Sequence, residues 1–85
     1  MTELQKTLVQ VVIADSPYDT AEALLLDNYS WFSAEMVSKA TGWSTERTAG
    51  VLSGAQDAGL IDFDPEGGKH GWALTETALE LAKGS

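Results

Sequence analysis

Apolar residues recur along this chain at two spacings, and the switch from one to the other divides it into helices and a hairpin. Leu4, Leu8, Val11 and Val12 fall on one helical face behind Thr2 and Gln5, the two ends of a capping box, which predicts a first helix over residues 3–14. Ser16 stands where it can cap a second helix, with Pro17 at the first position and Asp19 at the third. That helix is expected over residues 17–27, with Ala21, Leu24 and Leu25 inward. The aromatic run Tyr29-Ser30-Trp31-Phe32 has strand preference and reads as a short extended segment. Ser33 caps a helix over residues 34–41 that turns Met36, Val37 and Ala40 inward and ends at Gly42. Ser44 caps another over residues 45–58 that buries Thr48, Val51, Leu52 and Ala55 and is closed by Gly59 and Leu60.

Beyond Leu60 the period drops to two. Ile61 and Phe63 alternate with Asp62 and Asp64, and the alternation resumes after Pro65-Glu66-Gly67-Gly68 at His70, Trp72 and Leu74. A hairpin over residues 60–74 follows, pairing Asp64 with Lys69, Phe63 with His70 and Ile61 with Trp72 so that the apolar residues share a face. Thr75 caps a last helix over residues 76–83 that buries Ala78, Leu79 and Ala82. The expected architecture is one domain over residues 1–85, mainly α with a small β-hairpin (α+β). Two helices joined by Gly42-Trp43-Ser44 make the helix-turn-helix pattern over residues 34–58, and residues 60–74 are its wing.

Composition narrows the function classes. With 85 residues and 44% hydrophobic content, the chain has material for one core and no more. Cysteine is absent, which excludes disulfides and thiolate metal sites. No apolar run approaches the roughly 20 residues of a bilayer span, and the start lacks the basic stretch of a signal peptide, so a cytoplasmic location away from membranes is expected. The chain has no histidine paired with a nucleophile, no glycine-rich phosphate loop and no cluster of metal ligands. It is therefore not expected to be an enzyme, or to hold a cofactor or a metal.

The stretch from Ser33-Ala34-Glu35-Met36-Val37-Ser38-Lys39-Ala40-Thr41-Gly42-Trp43-Ser44 to Asp57-Ala58-Gly59-Leu60-Ile61 resembles winged-helix regulators of the MarR type, as does Ala73-Leu74-Thr75-Glu76-Thr77-Ala78-Leu79-Glu80-Leu81. The resemblance spans roughly residues 17–83. It implies a winged helix-turn-helix fold in which the helix at 45–58 enters the DNA major groove and the hairpin at 60–74 reaches the minor groove. It also implies a homodimer formed by the N- and C-terminal helices. The sequence departs from that family at the wing tip, where Pro65-Glu66-Gly67-Gly68-Lys69-His70 replaces an arginine-rich turn, and after Glu76, where the family's glycine is displaced.

The candidate contact residues follow from the helical wheel. With its apolar row inward, the helix at 45–58 presents Glu46, Arg47, Gly50, Ser53, Gly54 and Asp57 outward. Thr45 and Arg47 lie in its first turn, where backbone N–H groups favour a phosphate, and Arg47 has the alternative of a bidentate contact to guanine or of pairing with a nearby acid. Gly50 and Gly54 each cost about 0.8–1 kcal/mol relative to Ala inside a helix, so they suggest a shallow groove for close approach of a DNA edge or a partner. Lys39 and Lys69 are read either as phosphate contacts or as solvated charges. Trp31, Trp43 and Trp72 are expected in the core. His70 is expected to be a half-buried strand residue opposite Phe63, with a wing contact or a pH-sensitive group as the alternatives.

Charge opposes the family expectation. Thirteen acidic residues stand against five basic ones, for a net charge of −8, and Arg47 is the only arginine. DNA-binding domains are usually basic because affinity comes from neutralising phosphates. Half of the net charge, −4, falls in residues 1–33, while residues 34–59 contribute −1, so the acid is least dense on the helix-turn-helix. Two partner classes stay open. One is DNA, bound by a transcriptional regulator, which the usual role of the architecture puts first. The other is a protein, bound by an acidic winged-helix module such as an inhibitor or DNA-mimicking modulator of a nucleic-acid enzyme. A weaker third reading is a DNA binder adapted to high salt.

Overall fold

A computed structural model describes residues 1–18, 20–27 and 31–84. Five helices surround a small three-stranded antiparallel sheet. The chain runs α1 (Glu3–Asp15), α2 (Ala21–Asp27), β1 (Trp31–Phe32), α3 (Ala34–Thr41), α4 (Thr45–Asp57), β2 (Ile61–Phe63), β3 (Trp72–Leu74) and α5 (Glu76–Lys83). The sheet order is β1-β3-β2.

The expected caps of α1, α3, α4 and α5 form. Thr2 and Gln5 exchange both bonds of the capping box at the head of α1. Ser33, Ser44 and Thr75 accept from the N–H groups of Met36, Arg47 and Ala78 at 3.1, 3.1 and 3.3 Å. Helix α4 closes through Gly59 in the left-handed conformation, with the Leu60 N–H reaching the Ala55 carbonyl and the Gly59 N–H that of Gln56. The three-residue turn before α4 is tied as well, since the Ser38 hydroxyl donates to the Trp43 carbonyl at 2.8 Å.

The core gathers one row from each helix and the inner face of the sheet. Leu8, Leu24, Val37, Ala55, Ile61 and Ala78 are fully buried, and Val51, Leu52, Leu60, Leu74 and Leu79 lie beside them. Thr48 is buried too, its hydroxyl donating to the Ser44 carbonyl at 2.9 Å. Helix α2 packs on α5, and α1 packs on α3, α4 and α5.

Several expectations are corrected. Ser16 does not cap α2: its hydroxyl and N–H both go to the Ile13 carbonyl at the end of α1, and α2 starts at Ala21 with Thr20 accepting the Ala23 N–H. The expected role of Asp19 lies outside the described residues. Helix α1 is rotated, burying Val9 with Leu8 and Val12 while Leu4 is exposed, and Ala40 in α3 is exposed rather than inward. Of the expected segment 29–32, Trp31 and Phe32 form β1, and Tyr29 and Ser30 lie outside the described residues. Trp31 is 47% exposed and so is not a core residue, whereas Trp43 and Trp72 do pack against the core.

The hairpin register is also shifted by two residues. Ile61 pairs with Leu74, Asp62 with Ala73 and Phe63 with Trp72, whose rings meet at 4.8 Å between centroids. Lys69 and His70 therefore leave the strand. They belong to a 3-10 segment, Pro65–His70, in which the Asp64 carboxylate accepts the Glu66 N–H and starts the turn at Pro65. His70 is exposed. The loop is closed by the Asp64 N–H on the Gly71 carbonyl at 2.8 Å, and a Cβ at Gly71 would run into the Asp64 carbonyl oxygen, so only glycine fits there.

Candidate partner-binding surface

Helix α4 carries most of the candidate residues, and its inner row fixes where the others point. With Thr48, Val51, Leu52 and Ala55 buried, the row directly opposite is Glu46, Gly50, Ser53 and Asp57, all exposed. That row holds two carboxylates and no cation. Arg47 is exposed on the flank that faces α1, and Thr45 on the flank that faces α3.

The two flanks form separate grooves. The first, about 570 Å³, runs between the start of α1 and α4 and places Thr2, Leu4 and Gln5 opposite Arg47, Gly50 and Gly54. Its glycines differ. A Cβ on Gly50 would meet nothing within 4 Å, whereas one on Gly54 would touch the Gln5 amide nitrogen at 3.7 Å. Gly50 thus lies open, while Gly54 faces the Gln5 side chain of α1 at ordinary contact distance.

The second groove, about 550 Å³, lies between α3 and α4 with Trp72 at its edge. Ala34, Ala49 and Trp72 are its apolar lining, with the core residue Leu52 beneath, and Thr45, Ser53 and Lys39 belong to its polar lining. Sequence reasoning missed this groove. A signal was present in Thr45, Ala49, Leu52 and Gln56, which recur at helical spacing on one flank, but Trp72 joins them only in the observed register.

Three of the candidate cationic residues converge on one carboxylate. Lys39 forms a 3.0 Å ion pair with Glu35, four residues earlier on α3. The Lys39 hydrogen bond and charge hold the Glu35 carboxyl below its ordinary pKa, and the charges of Lys69 and His70 push in the same direction. Asp15 and Ser33 line the same shallow recess as Glu35, Lys39 and His70. The nine candidates therefore fall into three places: Glu46, Arg47, Gly50 and Gly54 beside the first groove, Thr45, Ser53 and Lys39 beside the second, and Lys69 and His70 in the loop between β2 and β3, whose charges reach Glu35.

Among the described residues no group of three potential ligands could hold a metal ion, and no helix is long and apolar enough to cross a membrane. Comparison with protein-family models, curated proteins and solved structures finds no match for this chain.

Proposed function

We propose that this chain is a winged helix-turn-helix domain whose α4 surface binds a protein. The element order, the three-residue turn between α3 and α4 and the antiparallel β2–β3 pair support the winged-helix reading, with residues 64–71 as the tip of the wing. One observation carries the choice of partner. The outermost row of α4, the part of such a domain that would enter a DNA groove, presents Glu46 and Asp57 with only Gly50 and Ser53 between them.

The numbers point the same way. Arg47, Lys69 and the already paired Lys39 would neutralise at most about three phosphates, for a salt slope near −3. They would do so against Glu46, Asp57, Asp64 and Glu66 on the same elements. A partner protein needs no such neutralisation, and an apolar groove lining is a better match to a protein than to a phosphate backbone.

The DNA reading keeps one observation in its favour: the charges of Lys39, Lys69 and His70 all reach Glu35 on α3, while Arg47 stands exposed in the first turn of α4. In that reading a homodimer forms through the N- and C-terminal helices, where Leu81 stands exposed on α5.

Capture of partners from cell extract, with and without nuclease, separates the two. The protein reading expects a captured protein that survives nuclease. Loss of the partner on nuclease treatment overturns it in favour of DNA, and then Arg47→Ala should cost about 1–3 kcal/mol in specific affinity while Lys39→Ala and Lys69→Ala each lower the salt slope by about one.

A further inference from the structure

The outer face of the sheet brings an exposed indole and charge of one sign into a single recess. Cross-strand partners share a face, so the pairs Trp31–Ala73 and Ala73–Asp62 set these three residues in a row across β1, β3 and β2. The opposite face holds Phe32, Ile61 and Leu74 in the core. Trp31 and Asp62 are two strand spacings apart, roughly 10 Å, with only the methyl group of Ala73 between them. An open recess of about 370 Å³ results.

Three carboxylates line that recess, those of Asp62, Asp64 and Glu76, and all three residues are exposed. Among the described residues no lysine, arginine or histidine lines it, and none of the three carboxylates forms an ion pair. Beside them Trp31 keeps 47% of its surface exposed, and Phe63 adds a second exposed ring at the edge of the sheet. An aromatic ring next to unanswered carboxylates attracts a cation twice, through the ring quadrupole and through charge.

We infer that the outer face of the sheet docks an arginine-bearing segment of a partner protein, with the guanidinium lying against Trp31 and donating to Asp62, and with Asp64 and Glu76 at the rim. This surface is separate from α4 and does not depend on how α4 is used. Charge complementarity selects a cationic partner over a nucleic acid, and over a second copy of this chain, which carries −8. The flat guanidinium fits better than an ammonium, because it stacks on an indole while its edge still donates to carboxylates. A free cation in so open a recess is readily displaced by salt, whereas a peptide also covers the apolar surface of Trp31 and Phe63.

The test is an NMR titration of the full isotope-labelled chain with three capped peptides that differ only at a central Arg, Lys or Glu between leucines. The Arg peptide should move the Trp31 indole N–H and the amides of Asp62, Ala73 and Glu76. The Lys peptide should bind more weakly and the Glu peptide not at all. Trp31→Ala should weaken the Arg peptide by about fivefold. Asp62→Asn combined with Glu76→Gln should weaken it by about as much and flatten its salt dependence. Circular dichroism establishes that both variants stay folded, and the carboxamide pair changes charge without changing shape, so the test stands even where Trp31→Ala loosens β1.

Equal binding of the Glu peptide, or Arg-peptide binding that both variants retain, overturns the inference. Free arginine amide that binds as tightly as the peptide overturns it too, since that marks a site for a small cation. Shifts confined to α4 overturn it while favouring the protein-binding reading of that helix, whereas shifts at the sheet should persist in Gly50→Leu, which leaves this surface untouched. Absence of any shift at millimolar peptide also overturns it.

Discussion

The two faces of α4 are one residue apart in sequence and opposite in what governs them. Leu52 belongs to the inner row and is 3% exposed, in a core shared with α1, α3 and the sheet. Ser53, its neighbour, is exposed, and packing sets no demand on it. The inner face is a solution to folding, so its composition says little about partners. The outer face is free of that constraint, and its carboxylates and glycines are therefore the better evidence of use.

The largest expected effect tests the inner side of that contrast. Leu52→Ala should cost about 2–5 kcal/mol through lost burial and a residual cavity, lowering the melting temperature by more than about 10 °C in a domain of this size. Ser53→Ala should stay within about 0.5 kcal/mol of the parent. Thermal melts that rank the two equally would mean that α4 is rotated from the orientation described.

The next prediction sharpens the boundary between the faces. A leucine at Gly54 must push its outer carbons between α4 and Gln5 of α1, and should cost about 1–3 kcal/mol. Gly50→Leu enters open space and should raise stability by up to about 1 kcal/mol through helix propensity. Denaturant unfolding of the pair distinguishes a self-contact at one glycine from an exposed surface at the other; a Gly54→Leu variant as stable as Gly50→Leu would show that α1 yields there.

The smallest effect is electrostatic. Because Lys39 lowers the Glu35 pKa, the ionised carboxylate is favoured in the folded chain. That contribution is present above the ordinary carboxylate pKa and fades as pH falls through the lowered folded value. Both side chains are exposed, so it is small and weakened by salt. Following the Glu35 carboxyl by NMR, Lys39→Ala should move its midpoint upward. An unmoved midpoint would assign the field to Lys69 and His70.

What the sequence revealed depended on whether a local pattern had one solution. The rotation of α4 was legible because four inward residues at a 3.6 period, a serine before them and a glycine after them admit one helix. The hairpin register was not. Moving the pairing by two residues keeps Ile61, Phe63, Trp72 and Leu74 on the same face, so alternation cannot choose between the two registers. The choice falls to Pro65, the Asp64 side chain and Gly71, which draw Lys69 and His70 into the turn. The start of α2 failed for a related reason, since Ser16 can serve either neighbouring helix and its hydroxyl goes to α1.

The candidate surface was legible only one helix at a time. Outward positions on α4 follow from its wheel, but the second groove requires α3 and Trp72 to be brought beside α4 by the sheet. Glu35 and Lys39 are spaced to pair on any exposed helix, and that spacing was the available sign that Lys39 is not a free cation.

Thr75 has a consequence for how this chain folds. Its hydroxyl donates to the Gly59 carbonyl at 2.6 Å and accepts the Ala78 N–H at 3.3 Å, while its own N–H binds the Leu60 carbonyl at 3.0 Å. The group that starts the last helix is thus oriented by the corner where α4 turns into the sheet, sixteen residues earlier. The residue that caps the C-terminal helix is thus also anchored in that long-range corner, so the amide protons at the start of this helix are expected to exchange with solvent together with those of the hairpin rather than by independent fraying.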